Sequence, residues 1–393
     1  MPAVRGLRRT SCLAVALLAV SAIWETAGAG DWSLRTNLTE SLSFNDNIGF
    51  VVDPDGFVFG SNSTIGLTSQ YRTHIDDFIL NGGLGYQTYF GDAGDIPSDR
   101  LFPSLSASYV RSGKTDTFTL GASLDYAPAS DSQGLVIPGL EVPGLEKAGD
   151  RVSISANTSI AHKINSRNDV TLSARASKVD FINAANSDEP FITLGSTLSW
   201  HRRLSKRVDY TFSSGLDWYD YDDAVNRERY YYVLRNGTSA RLTNRLSVTA
   251  NLGGTLSHTI SDNTDSATLG GLADAGFTYA LKDGSIGGGV SYGLTPDDNG
   301  NFSNSLGFSA SVNHSVNDLL SVRLGGQYRL SSSGAQGALA NSTFSISPSL
   351  SYTLARDWTL TANYQFAMTD DEDGNAIQNS VQLTLSRAYV LMP

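Results

Sequence analysis

The chain has 393 residues, of which 40% are hydrophobic and 17% charged, and its net charge is −11. An acidic chain without a basic stripe is not typical of nucleic-acid-binding proteins, which excludes that class. The only cysteine is Cys12, so no disulfide framework is available to hold the fold together. No change of composition marks a domain boundary, which favours one repetitive domain.

The first 29 residues have the layout of a secretory signal peptide. Arg5, Arg8 and Arg9 precede an apolar run over residues 12–24, and small residues end the segment at Ala29. The run is shorter than the roughly 20 residues that a membrane-spanning helix needs. We predict a cleaved signal peptide over residues 1–29 and a single folded domain over residues 30–393. An uncleaved N-terminal anchor is the alternative.

The next element is predicted to be a β-strand from Trp32 to Phe44. Its even positions are mostly apolar and its odd positions polar, and a strand places these two sets on opposite faces. The same alternation recurs, up to Val381 and Leu383, in about 18 segments of roughly ten residues, which is the spacing of outer-membrane strands. A single such segment would also suit a soluble β protein, so the repetition carries the argument.

The connections between these segments alternate between short and mostly longer ones, eight of the first kind and nine of the second. Outer-membrane barrels have short periplasmic turns and longer outer loops, so an even strand number with both termini periplasmic is expected. Aromatic residues fall at both ends of the segments, as in interfacial girdles. The sequence predicts an all-β protein, a transmembrane antiparallel up-and-down β-barrel of about 18 strands, with 16 as the alternative.

A short run at the end of the first strand resembles a known family. Glu40-Ser-Leu-Ser-Phe44-Asn45-Asp46-Asn47-Ile48 is an acidic-aromatic-x-Asp-Asn sequence. It is similar to the opening of outer-membrane β-barrel porins of the type associated with bacterial exopolysaccharide systems. The resemblance implies an outer-membrane barrel whose cargo is open, and it carries over no catalytic residue.

Charged residues on the polar face of the strands are the candidate lining of a pore. A barrel of 16 to 18 strands encloses a water-filled lumen. Reading the polar face as inward, we predict that six arginines and two aspartates line the lumen: Arg35, Arg175, Arg235, Arg241, Arg323, Arg329, Asp125 and Asp217. Because charges that line a pore set the sign of the preferred ion, we expect a weak anion preference. Above this wall we expect an acidic vestibule of solvated loop residues, Asp222, Asp223, Asp297, Asp298 and 370–373. Cancellation of these charges by pairing across strands is the alternative.

The connection 127–150 is unusually apolar for a surface loop. Apolar side chains seek burial, and inward folding would make this loop a constriction of the lumen. The candidate constriction residues are Val136, Ile137, Pro138, Leu140, Val142 and Leu145. Packing on neighbouring loops or on a partner is the other interpretation.

Catalysis and metal binding are weakly indicated. His258 is the one histidine on the outer half of the barrel, but its chain neighbours point to the opposite face, and a nucleophile needs its base within hydrogen-bond reach. The acidic runs 297–300 and 370–373 lack the first and twelfth ligands of a calcium loop. We predict no enzyme activity, no cofactor and no resident metal ion.

The leading prediction is an outer-membrane, porin-like channel for small polar or charged solutes. An accessory barrel for exopolysaccharide secretion is the second reading, and a surface enzyme is the third. The expected partners are outer-membrane lipid, lipopolysaccharide and the barrel-assembly machinery, with exopolysaccharide, its export proteins and a homo-oligomer as further alternatives. Nucleic acid is not expected.

Overall fold

The computed structural model describes residues 30–52, 54, 56–91, 99–130, 146–182, 189–223, 227–261, 264–296, 302–332, 339–371 and 374–392. The described residues form eighteen β-strands. In chain order the strands are β1 Asp31–Asn45, β2 Val58–Arg72, β3 Asp76–Gly91, β4 Asp99–Ser112, β5 Asp116–Ser130, β6 Glu146–Asn165, β7 Asn168–Ile182, β8 Phe191–Arg203, β9 Val208–Tyr221, β10 Glu228–Arg241, β11 Leu246–Ser261, β12 Thr264–Ala280, β13 Gly284–Pro296, β14 Phe302–Ser315, β15 Leu320–Ser332, β16 Leu339–Ala355, β17 Trp358–Asp371 and β18 Gly374–Met392.

The strands close into one ring. Each strand pairs antiparallel with its neighbours in the sequence, and β1 also pairs with β18 from Leu34↔Met392 to Asn45↔Ser380. Closure leaves no free edge along the seam between the first and last strands, which is how a barrel satisfies its backbone in a membrane. The prediction of an antiparallel β-barrel of 18 strands is confirmed.

The eight connections that the sequence predicts to be short all lie at one end of the barrel, which we call the short-turn end; the opposite end is the loop end. The short turns are built from residues whose side chains accept backbone N–H groups. Thr243 Oγ1 accepts the N–H of Arg245 and Leu246 at 3.1 and 2.9 Å, and Asn317 Oδ1 accepts two N–H groups in the same way. Such local hydrogen bonds favour tight turns over a continued strand.

Apolar and aromatic side chains cover the outer face of the wall. Leu38, Leu84 and Leu101 are among the exposed residues of this face. At the short-turn end the rings of Trp32 and Tyr71 lie 4.9 Å apart, and those of Trp200 and Tyr210 lie 6.0 Å apart. At the loop end Phe44–Phe59 and Phe344–Phe366 are in contact. Two aromatic belts separated by an apolar band are typical of a membrane-spanning barrel.

One carboxylate interrupts the apolar outer face. Glu40 pairs with Ser63 and Leu385 in neighbouring strands. Its carboxylate accepts hydrogen bonds from Ser61 Oγ at 2.8 Å and from Ser63 Oγ. Two donors from the next strand therefore replace part of the hydration that Glu40 loses on the outer face.

The Asn45-Asp46-Asn47 run closes the seam at the loop end. Asp46 accepts the N–H of Asn379 at 2.6 Å and its side-chain N–H at 2.7 Å. The Asn47 amide donates to the carbonyls of Val51 and Ile377, and its oxygen accepts the N–H of Val51. Asn47 is buried, so these hydrogen bonds tie the first loop to the last strand.

The candidate pore and its constriction

The contact between Tyr219 and Phe302 defines the interior of the barrel. Their rings lie 5.7 Å apart, although Tyr219 is on β9 and Phe302 on β14, five strands further around the ring. Side chains that far apart on a closed wall can meet only through its interior. The face of β9 that carries Tyr219 is therefore the lumen face, and the strand registers extend this assignment around the ring.

At the loop end, the β13–β14 hairpin is separated from β12 and lies inside the lumen. Pairing between β12 and β13 ends at Ala273↔Tyr292, whereas β13 and β14 stay paired up to Pro296↔Phe302. Leu294 is fully buried. A Cβ added to Gly270 of β12 would lie 3.3 Å from Leu294 Cβ, so Leu294 lies against the lumen face of β12.

A buried apolar cluster holds the hairpin in this position. It consists of Val179, Phe191, Tyr219, Tyr221, Tyr231, Leu294 and Phe302. The Tyr231 hydroxyl donates to the Leu294 carbonyl at 2.6 Å, and the Tyr231 and Phe302 rings lie 4.9 Å apart. The Arg229 guanidinium lies 4.6 Å from the Phe302 ring centroid. Aromatic and cation–π contacts each contribute about 0.5–1.5 kcal/mol beyond area burial, so the cluster fixes the hairpin as a constriction of the lumen.

The structure places all eight predicted lining residues on the lumen face. Asp217 shares the face of Tyr219, and Arg175 lies two strands away in the same row. The registers put the others, Arg35, Arg235, Arg241, Arg323, Arg329 and Asp125, on the same face. Their contribution to conduction stays a prediction.

Two of these residues are in contact. Arg175 Nη2 and Asp217 Oδ2 form an ion pair of 2.7 Å, in which the arginine side chain is 59% exposed and the aspartate 11%. The pair crosses β8 at Gly195, which is opposite both residues in the register. This ion pair across strands therefore offsets the charge of Arg175.

A second charged group lies on the lumen face at the short-turn end. His201 Nδ1 is 3.0 Å from Asp169 Oδ2, and His201 Nε2 is 3.5 Å from Asp209 Oδ1. Arg203 Nε lies 3.7 Å from the same Asp209 oxygen. Asp209 is therefore compensated by two basic neighbours.

At the loop end the acidic rim differs from what the sequence suggests. Asp223 reads as a solvated vestibule acid, yet its side chain is only 3% exposed and lies 3.2 Å from Arg227 Nε. The same arginine pairs with Glu189 and stacks 4.2 Å from the Tyr221 ring centroid. Asp223 thus helps to position Arg227 above the apolar cluster.

The predicted constriction residues Val136, Ile137, Pro138, Leu140, Val142 and Leu145 lie outside the described residues, as does the signal peptide 1–29. The connection that contains them is shorter than the sequence suggests, because β5 extends to Ser130 and β6 begins at Glu146. The inward folding of this loop stays a prediction.

Sequence reasoning missed the residues that form the constriction in the described part of the chain. The signal that marks them is present in β9 and β10, where Tyr219, Tyr221 and Tyr231 fall on the polar face between Trp218, Tyr230 and Tyr232 of the outer belt. Aromatic side chains on both faces of neighbouring strands exceed what a membrane girdle requires. Such an excess indicates packing inside the barrel.

The arrangement around His258 does not resemble a hydrolase site. His258 Nε2 lies 2.6 Å from Asp265 Oδ1, and its register neighbours are Tyr230 and Ala267. A base and an orienting acid are present, but neither register position holds the serine that a Ser–His–Asp arrangement would need within hydrogen-bond reach. Within the described ranges no three His, Cys, Asp or Glu side chains are placed to hold a metal ion.

The fold and the lumen define a closed 18-stranded antiparallel β-barrel with an inward constriction. No protein-family model matches the sequence, and neither does any curated protein. Among solved structures, Pseudomonas aeruginosa OpdO matches with a TM-score of 0.55 at 12% identity, over 92% of this chain and 98% of that one. P. aeruginosa OpdK with vanillate gives 0.54 at 11% identity, over 92% and 99%.

Acinetobacter baumannii OccAB3 gives a TM-score of 0.54 at 10% identity, over 92% of this chain and all of that one. These likenesses support the outer-membrane porin part of the resemblance seen in the sequence and not its exopolysaccharide-associated type. No helix among the described residues is long and apolar enough to cross a membrane.

Proposed function

We propose that this chain is an outer-membrane channel for small polar solutes, narrowed by the inward part of the β13–β14 hairpin. The observation that carries the proposal is the Tyr219–Phe302 contact across the interior. An 18-stranded barrel is wide enough to hold water, and a hairpin latched inside it reduces the free cross-section. The proposal places the short turns and both chain ends in the periplasm, by analogy with the asymmetry of bacterial barrels.

The proposed solutes are small anions. Arg35, Arg235 and Arg241 lie on the lumen face outside the Arg175–Asp217 ion pair. Of the two predicted lumen acids, Asp125 is then the one outside that ion pair. Guanidinium groups suit carboxylates because their donors match both oxygens. One similar structure, OpdK, contains vanillate, which is a carboxylate.

An accessory role in exopolysaccharide secretion rests on the Glu40–Ile48 run alone. The structure uses Asp46 and Asn47 of this run to close the seam, which explains those residues without an export partner. The barrel-assembly machinery, lipopolysaccharide and a second copy of the chain stay proposed partners.

Single-channel conductance in planar bilayers tests the proposal. We expect the wild-type chain to conduct and Phe302→Ala to conduct more, because loss of the ring frees the hairpin from Tyr219 and Tyr231. Phe308→Ala is the matched control, since Phe308 lies on the same strand and is 46% exposed on the outer face. A folded wild-type barrel that does not conduct contradicts the proposal, as does an equal effect of both variants.

A further inference from the structure

Arg387 is a basic residue on the outer face of the last strand, at the short-turn end. It pairs with Trp358 of β17 on one side and with Leu38 of β1 on the other. Trp358 directly follows a short turn, and Leu38 and Leu383 belong to the exposed apolar face. The guanidinium is therefore held at the edge of the lipid-facing band.

Two aromatic rings hold the Arg387 guanidinium. Its Cζ lies 4.8 Å from the Trp358 ring centroid and 4.0 Å from the Tyr389 ring centroid. Cation–π attraction of this kind is strongest away from water, and Trp and Tyr prefer the membrane interface. The pair of rings fixes the cation at that depth instead of letting it extend into water.

Three other basic groups on the outer face have acidic neighbours. Arg111 lies 4.0 Å from Asp76, His162 lies 2.6 Å from Asp116, and Lys178 pairs with Asp180. Within the described part of the chain, the structure gives Arg387 no carboxylate, and its Nε is buried without a hydrogen-bond partner. A fixed cation in a medium of low polarity requires an anion, which must then come from outside the protein.

We infer that Arg387, Trp358 and Tyr389 form a binding site for the phosphate of a glycerophospholipid. Phosphate is the anion that a membrane supplies at its interface, and the guanidinium fork matches two of its oxygens. The aromatic rings pack against the glycerol and the upper acyl chains. The inference rests on the barrel spanning a bilayer with the short turns in the phospholipid leaflet, and not on what the barrel conducts.

The test counts lipids retained by the full-length folded protein in native mass spectrometry. Phosphatidylglycerol is compared with a diacyl galactolipid of the same chains, with lipid A and with inorganic phosphate. We expect Arg387→Gln to bind phosphatidylglycerol about fivefold more weakly, a typical effect for a charge-assisted contact, and to bind the galactolipid as the wild type does. Arg202→Gln is the control, because Arg202 faces outward at the same end and is exposed.

Equal retention by wild type and Arg387→Gln overturns the site, and so does an equal loss in Arg202→Gln. If Arg387→Gln lowers the retention of lipid A but not that of phosphatidylglycerol, the choice of lipid is wrong. Displacement of the lipid by millimolar inorganic phosphate shows an anion site without lipid specificity and also overturns it. If Arg387→Gln does not fold, Trp358→Leu keeps the charge and removes one ring, and an unchanged lipid count there counts against the site. Channel conductance of Arg387→Gln stays at the wild-type value, which separates this test from that of the proposed function.

Discussion

The guanidinium of Arg175 and the carboxylate of Asp217 lie 2.7 Å apart, although their strands, β7 and β9, are not neighbours. β8 runs between them and presents Gly195 where the two side chains cross. A Cβ added to Gly195 would overlap Asp217 Oδ1 and lie 2.9 Å from Arg175 Nε. The ion pair between Arg175 and Asp217 can therefore form only because Gly195 has no side chain.

Replacing Gly195 with alanine is expected to separate the pair without disturbing the strands, because the atoms in the way are the ends of flexible side chains. The mostly buried Asp217 then loses its partner, at a cost of about 1 kcal/mol in the free energy of unfolding, since Arg175 is largely exposed. Urea titration of the refolded barrel measures this change. Gly215→Ala on the same face of β9 should have a smaller effect, and an equal effect would count against the argument.

Asn47→Ala is expected to weaken the seam at the loop end. The substitution removes the hydrogen bonds to Val51 and Ile377 and leaves partly buried backbone groups without these partners, which costs about 1–3 kcal/mol. The readout is the temperature at which the folded barrel changes mobility in a denaturing gel. Asn37→Ala, at an exposed position of β1, the strand that precedes Asn47, should leave that temperature unchanged. A lower transition temperature in both variants would show that the effect is not specific to the hydrogen bonds of Asn47.

Cysteine labelling on intact cells tests the orientation of the barrel. The one natural cysteine, Cys12, lies within the predicted signal peptide, so new thiols are the only targets in a processed chain. Gly49→Cys at the loop end is expected to react with a membrane-impermeant reagent, whereas Asn244→Cys and Lys282→Cys in the short turns are not. Gly49 is exposed with room for a side chain. Labelling of the turns in place of Gly49 would reverse the topology.

Ion selectivity is expected to favour anions weakly at physiological salt. At this salt concentration, charges more than about 8 Å from the constriction are largely screened, so the arginines of the lumen wall outweigh the more distant acids of the rim. The outer rim is less acidic than its sequence suggests, because Asp223 is buried against Arg227. Reversal potentials in a KCl gradient give the sign, and Arg235→Gln should lower the anion preference. A cation preference at physiological salt, about 0.15 M, would refute the claim that the lumen arginines set the selectivity.

The strands were predictable because the requirement that defines them is local. One face meets lipid, so Leu38, Leu42 and Phe44 alternate with polar residues whatever the rest of the chain does. The same rule fails at Leu294. Leu294 keeps the outward parity of Tyr292, and only the separation of β13 from β12 moves it from the lipid side to the interior. Alternation within a strand predicts which face of the strand a residue is on. It does not predict whether the strand stays paired with both of its neighbours in the barrel wall.

The motif and the ion pair show the same limit. The sequence marks Asn45-Asp46-Asn47 as unusual, but its partners Ile377 and Asn379 are more than 300 residues away. Arg175 and Asp217 could be placed on one face, yet their contact depends on Gly195 in a third strand. Contacts between strands that are far apart in the sequence, or that are not direct neighbours, do not appear in any local pattern.

Because β1 pairs with β18 as every other pair of neighbouring strands does, the fold does not require the chain ends to lie between these two strands. Asp31 and Met392 lie at the same end of adjacent strands, and every other junction at that end is a short turn. Joining the two ends and cutting the turn at 242–245 would give a circular permutant with the same ring of neighbours. A barrel built in this way has the hairpin as its unit of gain and loss, so duplication or deletion of one hairpin changes the diameter while the rules of pairing stay as they are.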